Sequence, residues 1–335
     1  MASAGDAQSP NSSPPTLPWN RKLADLFTSF LFRRAFRSDF TVNRRLLGLL
    51  DRKVPPFTTR GVAASDMNID SSSSDHLWIR VYNPLTFFNS DPLPVIVFFH
   101  GGGFAYGSAD SPPIDTFCRD FAREIGAIVI SVNYRLAPEH RFPSQFDDGF
   151  HVLKAMEEGV ISETLPENAD LRRCFIAGES AGGNIAHHVT VRAAEGELKR
   201  LKIVGMILIQ PFLGGEERRD SEIRFGRGYG MTVEMADWFW KAWLPVGSNR
   251  DHPAANVVRS SIWGVKLPPA VVVIGGLDLL RDRQKEYVEW LKKRGEEVGV
   301  LEYPNGTHGF IWKPDLPEYS MLMQDAPKQF TNIFS

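Results

Sequence analysis

"CFIAGESAGGNIAHH", Cys174 to His188, joins an apolar run to a helical pattern through Gly178-Glu179-Ser180-Ala181-Gly182. Small residues on both sides of a serine let the chain turn sharply from strand to helix, which strains the serine backbone and sets its hydroxyl at the helix N-terminus. A turn of this kind requires a buried strand before it and a helix after it, so the surrounding sequence should alternate between the two.

Upstream, "HLWIRVYNP" (76 to 84) alternates as a strand and "LPVIVFFH" (93 to 100) is apolar enough to be buried on both faces. "DTFCRDFAREIG" (115 to 126) is periodic as a helix, "AIVISVNYR" (127 to 135) is another buried strand, and "FDDGFHVLKAMEEGV" (146 to 160) another helix. Downstream come the strands "IVGMILIQPF" (203 to 212), "PAVVVIGGLD" (269 to 278) and "VGVLEYPNGTHGF" (298 to 310), with the helix "RDRQKEYVEWLKKRG" (281 to 295) before the last. This alternation predicts the α/β class, with a largely parallel sheet covered on both faces.

A serine hydroxyl is a weak nucleophile at neutral pH and needs a base, which needs a further group to fix its tautomer. Asp278 stands just past one buried strand and His308 in a loop just past the next, at the sheet edge where Ser180 is expected. Asp282, four residues on, is a rival acid, but it already belongs to the following helix and would point away from His308. Glu179 leaves the turn in another direction, with at most an orienting, polar role. The order Ser, Asp, His is that of the α/β-hydrolase fold.

"FFHGGGFAYG" (98 to 107) places Gly101, Gly102 and Gly103 directly after a strand. Attack on an ester carbonyl develops charge on oxygen, and each backbone amide aimed at it is worth about 10² to 10³ in rate. A loop without side chains can bring its amides close, and Ala181, next after the serine, supplies another. Phe104 and Tyr106 beside this loop are candidate pocket residues, as are Trp238 and Phe239 in "RGYGMTVEMADWFWKAWLPVG" (227 to 247).

The totals limit what else the chain can be. Its 335 residues suit one large α/β domain, and 38 basic against 40 acidic side chains give no nucleic-acid surface. Cys118 and Cys174 are expected as free buried thiols in a reducing, cytoplasmic setting. No secretory signal or membrane-spanning run is visible. Residues 1–18 read as a disordered tail and 19–335 as one domain, its cap drawn from about 19–50 and 214–253. The spacing of Leu23, Leu26, Phe27, Phe30 and Leu31 predicts an amphipathic helix within that cap. A monomer is expected.

With these pieces assembled, the chain resembles the hormone-sensitive-lipase branch of the α/β-hydrolases and, within it, the plant carboxylesterases. The motifs are "HGGGF" (100 to 104), "NYRLAPEHRFP" (133 to 143), "DDG" (147 to 149), "GESAGGNIAHH" (178 to 188), "GGLDLLRD" (275 to 282) and "GTHGF" (306 to 310). The resemblance implies Ser180 as nucleophile, Asp278 as acid and His308 as base, with Gly102, Gly103 and Ala181 donating to the oxyanion. It makes His100 and "YRLAPEHRFP" supports of the glycine loop, and it implies no metal or organic cofactor and a small-molecule ester substrate. It also admits two non-hydrolytic alternatives: a hormone receptor, suggested by "LLDRKVPP" (49 to 56) although such receptors lose the histidine retained here, and a hydroxyisoflavanone-dehydratase-like lyase.

Overall fold

Leu93–Phe99 contains no charged or hydrogen-bonding side chain, and all seven residues are buried, as a central strand with both faces covered requires. Around it the chain forms strands β1 (Val62–Asn68), β2 (Trp78–Pro84), β3 (Leu93–Phe99), β4 (Ile128–Asn133), β5 (Ala169–Glu179), β6 (Ile203–Ile209), β7 (Ala270–Gly275) and β8 (Val298–Tyr303). They make one sheet in the order β1-β2-β4-β3-β5-β6-β7-β8. β2 runs antiparallel to both its neighbours; every pairing from β4 to β8 is parallel. The α/β class with a largely parallel sheet, read from the alternation, is the class observed.

This computed structural model describes residues 30–32, 34–69, 77–87, 92–196, 198–227, 230–260 and 264–334, the last five without their side chains. Residues 1–50 and 51–335 form two compact units. The first contains the short helix α1 (Arg44–Leu50). The tail of residues 1–18, and Leu23, Leu26 and Phe27 of the expected amphipathic helix, lie outside the described residues; Phe30 and Leu31 are helical. Among the described residues no helix is long and apolar enough to cross a membrane.

In the second unit α2 (Pro112–Ile125) and α8 (Pro317–Phe334) cover one face of the sheet. Phe117 and Phe121 of α2 and Tyr319 and Leu322 of α8 share a buried cluster with Phe98, Phe175, Ile209 and Val273 from the strands. α2 stops at Gly126, whose left-handed φ of 71° closes the helix onto the Ala122 carbonyl. α3 (Ser144–Glu157) and α4 (Ala181–Glu195) pack on each other, with α4 lying on β3, β5 and β6. α5 (Asp220–Phe225), α6 (Val233–Trp243) and α7 (Arg281–Lys293) complete the helices, α7 resting on β7 and β8.

Two elements carry no clear sequence signal. β1 is an edge strand with only Val62 buried, so its residues need no apolar alternation, and it forms by pairing with β2. α8 contains Pro327, which breaks the pattern a helix normally presents.

The loop after β3 is held from behind by a neutral histidine. His100 is fully buried, its Nδ1 lies 2.7 Å from the Gly101 carbonyl oxygen, and its ring stacks on Tyr134 at 4.3 Å. The Tyr134 hydroxyl donates to the His100 carbonyl at 2.7 Å. Burial lowers the His100 pKa from 6.5 to about 4. In the unfolded chain this residue takes a proton below pH 6.5, but in the fold only below about 4, so the stability it contributes is present above 6.5 and lost as pH falls through that window. A His100→Gln variant is expected to be less stable than the parent at pH 7 in urea denaturation. That deficit should narrow by about 2 kcal/mol at pH 5; a deficit independent of pH would contradict the neutral buried imidazole.

Candidate active site

The site assembles where strands end. The register aligns Phe99 of β3 with Gly178 of β5, Glu179 of β5 with Ile209 of β6, and Ile209 with Val273 of β7. The loops that leave these carboxyl ends therefore converge, as open α/β sheets require of a ligand site.

Ser180 caps α4 with φ 52° and ψ −117°, a conformation a non-glycine residue adopts only when its surroundings impose it. The surroundings here are backbone on both sides: the Ser180 amide donates to the Ile209 carbonyl at 2.9 Å and its own carbonyl accepts from Phe212 at 2.8 Å. At the second residue of the helix, a Cβ on Gly182 would stand 1.9 Å from the Phe99 carbonyl oxygen, so only glycine lets α4 start this close to β3.

From this turn a hydrogen-bonded chain runs inward. Ser180 Oγ lies 2.8 Å from His308 Nε2, and His308 Nδ1 lies 2.9 Å from Asp278 Oδ2. Asp278 is fully buried and takes further hydrogen bonds from Gln210 Nε2 at 2.9 Å, Gln284 Nε2 at 2.9 Å and the Leu280 amide at 2.8 Å. The carboxylate oxygens thus find their donors within the protein, without solvent. Burial works to lower the His308 pKa, but the charge and hydrogen bond of Asp278, with a smaller pull from Glu179, leave it above its ordinary 6.5. Asp282 faces elsewhere: its Oδ2 accepts from the Ser221 amide at 2.8 Å, and Oδ1 pairs with Arg281.

Gln210 is the member of this set that the sequence reading misses. It sits just past β6, fully buried, with a left-handed φ of 44°. Its amide nitrogen donates to Asp278 and, at 3.0 Å, to the Thr307 carbonyl, while its oxygen accepts from the Gly309 amide at 2.9 Å. One side chain therefore fixes the acid and both residues flanking His308. The available signal was positional: β6 lies between β5 and β7, so a polar residue at its end must face both.

The glycine loop crosses the same region. Gly102 and Gly103 have φ of 107° and 60°, and among the described residues no protein group accepts from their amides or from that of Ala181. Gly101 is occupied differently, its amide bearing on the Glu179 carboxylate. A Cβ on Gly103 would stand 2.3 Å from Phe239 Cγ, so the ring of Phe239 lies flat over this loop.

The four expected pocket residues separate. Phe104 is fully buried and stacks on Trp243 at 3.8 Å, with Trp240 at 5.7 Å and Phe212 at 6.0 Å. Its ring anchors the loop to α6 and faces the aromatic core, not an open pocket, because a left-handed φ of 63° turns it inward. Tyr106 is part-exposed and stacks on Trp312 at 5.8 Å, in the segment that follows His308. Phe239 covers Gly103, and half-buried Trp238 stands edge-on to Phe239 at 5.7 Å. "YRLAPEHRFP" fastens this roof: the Ala137 amide donates to the Phe104 carbonyl at 2.8 Å, and Arg141 donates to the carbonyls of Lys241 and Leu244, each at 2.7 Å.

A family model described as an alpha/beta hydrolase fold matches residues 96–312. The chain is 42% identical over 307 residues to the gibberellin receptor GID1C of Arabidopsis thaliana, covering 86% of this chain and 87% of that one. It is 38% identical over 244 residues to carboxylesterase 20 of the same plant, covering 69% of this chain and 74% of that one. Among solved structures, a hyperthermophilic esterase from the archaeon Pyrobaculum calidifontis superposes with a TM-score of 0.73 at 25% identity, over 95% of this chain and 99% of that one.

Because backbone atoms face Gly182, no side chain can move aside for an added methyl group. Gly182→Ala is expected to cost about 3 kcal/mol, the upper range for overpacking, and calorimetry should show a clear fall in Tm; an unchanged Tm would mean the approach of α4 to β3 is looser than described.

Proposed function

The chain belongs to the α/β-hydrolase family, and from that membership we propose that it is a carboxylic ester hydrolase acting through a serine acyl-enzyme. The observation that carries this reading is the unbroken chain from Ser180 through His308 to Asp278, at 2.8 and 2.9 Å. Carboxylesterases among the relatives and esterases among the structural neighbours support it.

Ser180 Oγ attacks the ester carbonyl as its proton passes to His308 Nε2. The carbonyl oxygen gains the charge and is received by the amides of Gly102, Gly103 and Ala181, which have no other acceptor among the described residues. Collapse breaks the bond to the alcohol, which leaves with the proton from His308. Water then gives a proton to the same nitrogen and its oxygen to the acyl carbon, releasing the acid and restoring the serine. Asp278 keeps the histidine in one tautomer and offsets its positive charge throughout. Phe239 and Trp238 above the loop, with Tyr106 beside it, set the space for substrate, for which small esters with short to medium acyl chains are proposed. The two buried thiols, Cys118 and Cys174, fit a cytoplasmic setting.

The gibberellin receptors among the relatives favour a second reading, in which the same cleft binds a small molecule without turnover. The two differ in one measurement. The parent chain should hydrolyse short p-nitrophenyl esters, Ser180→Ala should lose about 10³-fold or more of kcat/KM, and a fluorophosphonate should label Ser180. An undiminished rate in Ser180→Ala, or stoichiometric binding with no turnover, would sink the hydrolase reading. Since His308 must be neutral to accept the proton and its pKa is held above 6.5, kcat/KM should fall as pH drops through a midpoint above that value.

A further inference from the structure

The acyl-transfer scheme leaves one buried carboxylate beside the triad without a task. Glu179 is 1% exposed and immediately precedes Ser180. Its Oε2 accepts from Trp312 Nε1 at 3.0 Å, and Trp312 belongs to the segment that carries His308. A Cβ on Gly101 would lie 1.8 Å from that same oxygen, so the bare backbone of the glycine loop is seated against the carboxylate. Its other oxygen lies 3.8 Å from the Cβ position of Gly309, next to His308. Trp312 in turn stacks on Tyr106 at the far end of the glycine loop. The side chain does not leave the turn for solvent or for a remote contact; it sits where three loops of the site meet.

The charged and titratable groups around it come from each of those elements. His308 faces it from the loop after β8, Asp278 from the loop after β7, and the Tyr134 hydroxyl from the segment after β4. His308 therefore lies within the field of two carboxylates. Asp278 acts on it most strongly through contact at Nδ1, and Glu179 acts through space.

We infer that Glu179 is a positioning residue for His308: its carboxylate fastens the histidine loop to the glycine loop through Trp312 and Gly101, and its charge, added to that of Asp278, stabilises the imidazolium formed when Ser180 gives up its proton. This rests on the ester-hydrolase reading. Burial drives the Glu179 carboxyl up to about 7, against the opposing pull of His308, Trp312 and the Gly101 amide. His308, held above its ordinary 6.5, pulls on this carboxyl and is pulled by it, so the protonation of each depends on the other. When Glu179 is protonated, the imidazolium has Asp278 alone.

The test uses the full chain and the variant Glu179→Gln, which keeps the length of the side chain and an acceptor for Trp312 but removes the charge. The titration of the His308 imidazole, followed by NMR and assigned with His308→Gln, should move to lower pH by about half a unit or more. With p-nitrophenyl acetate, kcat should fall about tenfold with little change in KM, and the acid limb of kcat/KM should move to lower pH with the imidazole. Glu179→Asp, which restores the charge, should bring the titration back towards the parent. A midpoint and acid limb unchanged in Glu179→Gln, or a midpoint that follows side-chain length and not charge, would overturn the inference. Should Glu179→Gln fail to fold, the parent chain still decides: the His308 shift should follow two steps with pH, and a single step counts against coupling. The imidazole titration needs no turnover, so a chain that hydrolyses no ester would defeat the hydrolase reading while leaving this measurement to rule on Glu179 by itself.

Discussion

Everything in the site depends on satisfying one carboxylate where no water reaches it. Asp278 has no exposed surface, and a buried carboxyl left without partners would be costly. Its oxygens instead meet the Leu280 amide, the Gln210 and Gln284 amides and the His308 ring. These donors come from the end of β6, the turn after β7, the first turns of α7 and the loop after β8. The need to satisfy one buried carboxyl group thus draws four segments to the same point, and the orientation of the histidine follows.

A second constraint acts on the other side of Ser180. The amides of Gly102, Gly103 and Ala181 have no protein acceptor among the described residues, which is costly unless the loop is braced from outside. The bracing is aromatic and backbone in nature: Phe104 on Trp243, Phe239 over Gly103, His100 on Tyr134, and the Ala137 amide on the Phe104 carbonyl.

The residues that ended an apolar strand were legible in the sequence, because the strand itself announced where they would stand. Ser180, Asp278 and His308 each follow such a run, and the choice of Asp278 over Asp282 needed only the helix boundary between them. Gln210 follows a run just as clear, but a glutamine after a strand resembles any loop residue until the strand order places β6 between the serine and the acid. Glu179 and Phe104 show a different limit. Adjacent to identified residues, both have side-chain directions set by unusual φ values nearby, 52° at Ser180 and 63° at Phe104, which no periodicity encodes. Sequence pattern locates a residue along the chain and on a layer; at a strained turn it no longer says which way the side chain goes.

Helix α6 divides its circumference between two duties. Phe239, Trp240 and Trp243 face inward and are buried, while Glu234 and Trp238 on the other side retain contact with solvent. The inward set is locked to the glycine loop, and Arg141 grips the end of the helix by its carbonyls, contacts that do not depend on which outer side chains the helix carries. The outward residues hold contacts of a different kind, Asp237 pairing with Arg218 and with Arg250. A substitution on that face would therefore reach the glycine loop only through Phe239 and the helix backbone, so the two faces of one helix can change at different rates.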